Sequence, residues 1–165
     1  MSFAYFCHPN CVSMIRFNSE DINFSLSQRR LVSKWLKAIA ARDSKRTGEL
    51  NYIFCSDPYL LTINKQYLGH DYYTDIITFD FSQDYEVEGK GDLISGDIYI
   101  SIDTVRHNAQ EYGEGFDREL HRVIAHGLLH LLGYDDVTPE LQEEMTAKEN
   151  ESLDLLEQIR NGAEV

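Results

Sequence analysis

Apolar and polar positions change period several times along the chain, and each change predicts an element. The segment SMIRFNSEDINF, residues 13–24, alternates well enough to predict an opening strand. In SLSQRRLVSKWLKAIAARDS, residues 25–44, Leu31, Val32, Trp35, Leu36 and Ile39 fall at helical spacing behind Ser27, the expected cap. GELNYIFCS, residues 48–56, predicts a second strand entered through Gly48. SDPYLLTINKQYL, residues 56–68, opens on Ser-Asp-Pro, and proline suits the first turn of a helix. TDIITFDF, residues 74–81, is rich in β-branched and aromatic residues and predicts a strand. The glycines and charges of QDYEVEGKGDLIS, residues 83–95, predict a loop or hairpin tip, and GDIYIS, residues 96–101, a further short strand.

The last third is helical by pattern. SIDTVRHNAQEYG, residues 101–113, predicts a helix ended by Gly113, and FDRELHRVIAHGLLHLLG, residues 116–133, a strongly apolar one closed by Gly133 in a left-handed cap. TPELQEEMTAKENESLDLLEQIR, residues 138–160, predicts a final helix with Thr138 as cap, Pro139 in the first turn and an acidic outer face, before a frayed end at NGAEV. No linker, repeat or low-complexity stretch divides residues 1–165. The expected architecture is therefore a single α+β domain, a small mixed sheet of about four strands packed with about five helices.

Composition narrows the class. No apolar run approaches the roughly eighteen residues a membrane span needs, and MSFAYFCHPN lacks the pattern of a secretion signal, so a cytoplasmic protein with no membrane partner is expected. Three cysteines, Cys7, Cys11 and Cys55, suit a reducing compartment. Cys7, His8 and Cys11 resemble half a zinc site, but no second pair follows at finger spacing. The net charge of −13 argues against coating nucleic acid by overall attraction. Its distribution is uneven, however: residues 1–50 carry eight Lys or Arg against four Asp or Glu, and residues 51–165 seven against twenty-four. A local basic face centred on Arg29, Arg30, Lys34 and Lys37, with Arg42, Lys45 and Arg46 beyond, is the candidate surface for RNA. An ordinary solvated helix face is the alternative.

The chemistry concentrates in HGLLHLLGYDD, residues 126–136. Residues four apart share a helix face, so His126 and His130 can address one ion while the leucines between them face the core. A chain reversing at Gly133 brings Asp135 or Asp136 back beside them as a third ligand, which leaves a fourth position open, as catalytic zinc sites do. The competing reading is a pair of satisfied core histidines. A peptidase of the H-E-x-x-H type is disfavoured, because Gly127 stands where its general base belongs.

The same stretch resembles the YbeY family, zinc-dependent endoribonucleases of rRNA maturation with the signature H-G-x-L-H-L-x-G-Y-D-H. His126, Gly127, Leu129, His130, Leu131, Gly133, Tyr134 and Asp135 match by identity, and Asp136 stands where the family has its third histidine. NKQYLGHDYYTDIITFDF, residues 64–81, is similar to the family's N-x-x-Y-R-x-x-D-x-x-T-D-V-L-S-F-P at Asn64, Tyr67, Asp71, Thr74, Asp75 and Phe79. SGDIYIS resembles its L-G-D-I-x-I-S strand at Gly96, Asp97, Ile98 and Ser101. The resemblance spans roughly residues 50–150 and departs at Leu68, where the family pattern has an arginine; Lys65, His70 or Arg118 would have to substitute for it.

The resemblance implies a Zn2+ ion on His126, His130 and Asp136 and cleavage of single-stranded RNA, an rRNA precursor, in ribosome quality control. It also implies small ribosomal subunit proteins as partners, and no DNA. An aspartate ligand adds negative charge beside the ion and leaves its water less acidic; two histidines and a carboxylate also suit iron. Glu119, two turns before His126, is the candidate base, with pairing to Arg122 or Arg118 as the alternative. Asp75 and Asp97 are candidates to hydrogen-bond a ligand histidine or, alternatively, to cap a strand end; Thr74 reads as a turn residue. The rival class is a non-catalytic ribosome-assembly factor with a structural metal, whose acidic last helix contacts a basic protein.

Overall fold

Two apolar runs, residues 50–55 and Leu93–Ser101, are buried along nearly their whole length, as strands in the middle of a sheet covered by helices must be. The computed structural model describes residues 13–83 and 91–162. Its strands are β1 (Met14–Ser19), β2 (Arg46–Cys55), β3 (Ile76–Asp80) and β4 (Leu93–Ser101). The α-helices among the described residues are α1 (Arg29–Arg42), α2 (Asp57–Ile63), α3 (Ile102–Glu111), α4 (Phe116–Leu131) and α5 (Pro139–Arg160). The sheet order is β1-β2-β4-β3, with β1 and β4 parallel to β2 and β3 antiparallel to β4. This is the expected α+β domain with a four-stranded mixed sheet. The Cys7, His8 and Cys11 group, most of the hairpin tip and the final residues lie outside the described part.

Helix α4 is the central element. It lies close on the sheet because two glycines leave room: a Cβ on Gly127 would meet Ile98 Cγ2 at 2.8 Å and Ile76 Cδ1 at 2.9 Å, and one on Gly96 would meet the Phe79 carbonyl at 2.4 Å and Leu131 at 3.1 Å. The Tyr52 hydroxyl, fully buried, donates to the Ile124 carbonyl at 3.0 Å and ties β2 to the middle of the helix. Helix α1 closes the other side of the core with Trp35, whose Nε1–H donates to the Ser152 carbonyl of α5 at 2.6 Å. Buried aromatic donors need such partners, so these two bonds fix α4 against the sheet and α5 against α1.

Several boundaries differ from the sequence reading. Ser27 does not cap α1: the helix starts at Arg29 behind Gln28, which is left-handed (φ 55) and makes no side-chain cap bond. Strand β1 stops at Ser19, where the hydroxyl turns to the Phe24 carbonyl at 2.6 Å and Asp21 reaches across to accept from the Ser56 backbone N–H at 2.9 Å. Strands β2 and β4 start earlier than predicted because Arg46 pairs with Leu93 and bonds Asp92. The helix starting at Ser-Asp-Pro, as expected, is capped by Ser56, becomes a π-helical turn over Asn64–Leu68 and ends at Gly69 (φ 67). The Thr138 cap, the helix end at Gly113 and the left-handed Gly133 are as the sequence predicts.

Candidate metal centre

The pattern that buries α4 also aims its histidines. Leu128, Leu129 and Leu131 face the core, so His126 and His130 project together from the remaining face, ring centroids 4.4 Å apart and nearly perpendicular. Beyond them the helix ends in a glycine turn: Gly133 (φ 101) lets its N–H bond the His130 carbonyl at 3.0 Å and the Tyr134 N–H bond the Leu129 carbonyl at 3.0 Å. The turn carries Asp136 back over the histidines. Its Oδ2 lies 3.5 Å from His126 Nε2 and 3.7 Å from His130 Nε2, while Asp135 Oδ1 accepts from the Asp136 N–H at 2.8 Å.

The outer nitrogens decide the chemistry. His126 Nδ1 lies 2.6 Å from Glu149 Oε1 and His130 Nδ1 lies 3.0 Å from the Tyr134 carbonyl. Both partners are acceptors, so each neutral ring carries its proton on Nδ1 and presents a bare lone pair at Nε2. Those two lone pairs face each other at 2.9 Å, with a carboxylate oxygen beside them. Three electron-rich atoms this close call for a cation between them. The point equidistant from them lies about 2.0 Å from each, the length of a zinc–nitrogen or zinc–oxygen bond. The residues therefore fit a metal ion.

Behind the two histidines runs a chain of charges. Glu149 Oε2 lies 3.9 Å from Arg122, and Arg122 lies 2.8 Å from Glu119 Oε2. That last contact is off the hydrogen-bond line, so Glu119 Oε2 is buried with an ion-pair partner and no aligned donor. Burial raises the Glu119 pKa, against the pull of the Arg122 charge. At His126 burial works to lower the pKa, but the hydrogen bond and charge of Glu149 outweigh it and the net shift is upward. His130 has only a backbone acceptor, and burial followed by the neighbouring His126 charge lowers it. Asp75 contributes its charge to both Glu119 and His126.

The structure thus brings His126, His130 and Asp136 together and pairs Glu119 with Arg122, the alternative left open by the sequence. Neither aspartate singled out in the strands is hydrogen-bonded to a ligand histidine. Asp97 accepts from Asn51 Nδ2 at 2.9 Å, its partner across the β2–β4 ladder, and Asp75 uses its backbone carbonyl to accept from the Ser101 N–H. The outer ring nitrogens of His126 and His130 instead meet Glu149 Oε1 and the Tyr134 carbonyl. Glu149 had a signal: in α5 it shares the buried stripe of Met145, Ser152, Leu153 and Leu156, where an acid is out of place. The Tyr134 carbonyl is backbone, and only the turn reveals it.

The proposed RNA face forms a groove of about 980 Å3 between β1 and α1. Arg29, Arg30, Lys34 and Lys37 line it, joined by Arg16 and Arg42; among the described residues no carboxylate does. Arg16 is paired with Glu49, whereas Arg30, Lys34, Lys37 and Arg42 have no ion pair among the described residues. Leu68 is half-exposed, and two of the cations that would have to substitute for the family arginine are engaged: Lys65 with Asp71 at 3.0 Å and Arg118 with Glu114 at 2.9 Å. None of the described helices is long and apolar enough to cross a membrane.

Comparison with known proteins gives the same picture. Residues 14–157 match the family model described as Endoribonuclease YbeY. A protein of that name from Cytophaga hutchinsonii is 55% identical over 141 residues, 86% of this chain and 94% of its own. Another, from Phocaeicola vulgatus, is 49% identical over 143 residues, 87% of this chain and 99% of its own. A solution structure of a Thermotoga maritima protein superposes with a TM-score of 0.58 at 27% identity, covering 90% of this chain and 94% of that one. The chain belongs to the YbeY endoribonuclease family.

Proposed function

We propose that this protein is a zinc-dependent endoribonuclease that hydrolyses phosphodiesters of single-stranded RNA, with an rRNA precursor as substrate and the small ribosomal subunit as its setting. The observation that carries the reading is the convergence of His126 Nε2, His130 Nε2 and Asp136 Oδ2 with both Nδ1 atoms already committed. His126, His130 and Asp136 would hold the ion, and zinc, when bound, supplies a Lewis acid and an acidified water. Zinc is preferred over iron because of the family resemblance and because both histidines come from one helix.

The rest is the work of the chain itself. Glu149 keeps the His126 proton on Nδ1 and so keeps Nε2 open; the Tyr134 carbonyl does the same for His130. Arg122 steadies Glu149, and Glu119 in turn holds Arg122, which makes Glu119 a positioning residue in this reading instead of the base. Gly127 puts no carboxylate beside His126, which separates the centre from H-E-x-x-H peptidases. The groove of Arg29, Arg30, Lys34 and Lys37 receives the RNA backbone.

The exposed Leu68 favours a second reading, a ribosome-assembly factor that binds RNA around a structural metal. Elemental analysis of protein purified without a histidine tag, combined with an RNA cleavage assay, separates the two. About one zinc per chain, lost in His130→Ala and Asp136→Ala together with cleavage of single-stranded RNA, is the expected result. No metal in the wild type even after zinc is supplied sinks the hydrolase; metal and RNA binding without cleavage leaves the assembly factor.

A further inference from the structure

The segment from the π-helical turn to β3 holds three tyrosine rings at the surface. Tyr67, Tyr72 and Tyr73 are 61%, 56% and 63% exposed, three large aromatics within seven residues. Single surface aromatics are ordinary, but a cluster marks a contact surface. The loop that carries them is held in place. Asn64, buried, donates from Nδ2 to the Tyr72 carbonyl at 2.9 Å and accepts at its own carbonyl from the His70 N–H at 3.2 Å, and the Lys65–Asp71 pair braces the loop.

Two of the rings are held as well. Phe79 meets Tyr67 edge-on at 5.8 Å and is itself backed by Tyr99 at 6.0 Å. His70 stacks on Tyr72 at 5.1 Å and 20°, and its Nδ1 lies 3.0 Å from the Tyr72 hydroxyl. The surface adjoins the metal centre: Ile76, three residues after Tyr73, packs against Gly127 next to His126, and three residues of chain reach at most roughly 10 Å.

We propose that Tyr72 and Tyr73, with Tyr67 beside them, form a platform on which unpaired RNA bases stack as they approach the metal centre. The proposal rests on the nuclease reading and names how the substrate is gripped there. Phosphate is a poor target for this segment, because Leu68 is neutral and Lys65 is committed to Asp71. Bases fit better: every base has a π face, so stacking grips RNA with little sequence preference. In a duplex those faces are covered, so such a platform selects single strands.

The test compares a short oligoadenylate with an abasic ribose–phosphate oligomer of equal length, by fluorescence anisotropy, on the full chain. Tyr72→Ala with Tyr73→Ala is expected to weaken oligoadenylate binding about tenfold or more. Abasic binding should stay unchanged, and Tyr72→Phe with Tyr73→Phe should stay within about twofold of the wild type, since the rings remain. An equal loss on both oligomers, or no loss on oligoadenylate, overturns the platform. So does self-association of the wild type, seen by sedimentation, that the alanine pair abolishes while RNA binding is untouched; the rings would then be a face between copies. Base-dependent binding by a protein that cleaves nothing would sink the nuclease and leave the platform standing.

Discussion

The metal centre and the β1–α1 groove are both strongly charged, and they are built on opposite terms. In the centre, Glu119, Arg122, Glu149 and His126 are shielded from water, and each charged group is committed to the next. Burial demands this, because an unpaired charge in such a setting costs several kcal/mol. What stays uncommitted is a small set of atoms from His126, His130 and Asp136, spaced for one cation. In the groove, Arg30, Lys34, Lys37 and Arg42 stand in water, which solvates them singly until a polyanion displaces their counterions. One region is a preorganised point; the other is a diffuse field along a path. A protein with a net charge of −13 thereby gathers six of its fifteen Lys and Arg along one helix and one strand, the surface proposed for RNA.

The contrast breaks most sharply at Glu149. Glu149→Ala frees the His126 Nδ1 proton and leaves Arg122 short of a partner, so metal affinity is expected to fall about 10–100-fold, measured by competition with a chelator. Stability should fall by about 2 kcal/mol in the same variant, read from denaturant titration. An unchanged affinity would mean that the ring is oriented by something other than this carboxylate. On the groove side, Lys34→Glu with Lys37→Glu should change stability by no more than about 0.5 kcal/mol, since no described ion pair involves these side chains. The salt dependence of RNA binding should become shallower by about 0.7 in slope for each phosphate that the variant no longer neutralises. Metal content should not move. A steep loss of stability or of metal in that variant would show that the two regions are not independent.

What could be read from the sequence follows the same division. The His126–His130 pair, the Gly133 stop and a returning aspartate are local, set by helical period and one glycine, and they stand out in a single stretch of eleven residues. The cationic run of α1 is local as well. Arg16 joins the groove only because β1 lies beside that helix, which no local pattern states. Asp97 reads as a partner for histidine until the β2–β4 register sets it opposite Asn51. Glu149 is hidden among the many acids of α5, distinguished only by its place on the buried stripe. Ser27 fails as a cap because a left-handed Gln28 admits the chain to α1 instead.

The finest distinction lies on α4 itself, between His126 and His121. Both are pushed down by burial, but His126 has Glu149 while His121 meets the edge of Trp35 at 5.9 Å. Burial first and the Arg160 charge second hold the His121 pKa below its ordinary value, against weaker opposing pulls from Asp117 and Glu157. The folded pKa is thus lower than the unfolded value of about 6.5. Neutral His121 is fully compatible with the fold above that pH; below it the unfolded chain takes up the proton first, and stability is lost as pH falls. His121→Gln should remove that contribution, making the variant's stability, read from its denaturant midpoint, less sensitive to acid as pH falls below about 6.5. His126 and His130 titrate in both proteins, so the difference between the two slopes reports His121 alone. Equal slopes would mean that His121 takes up its proton within the fold as readily as in the unfolded chain, and that burial without a carboxylate is not what separates the two histidines.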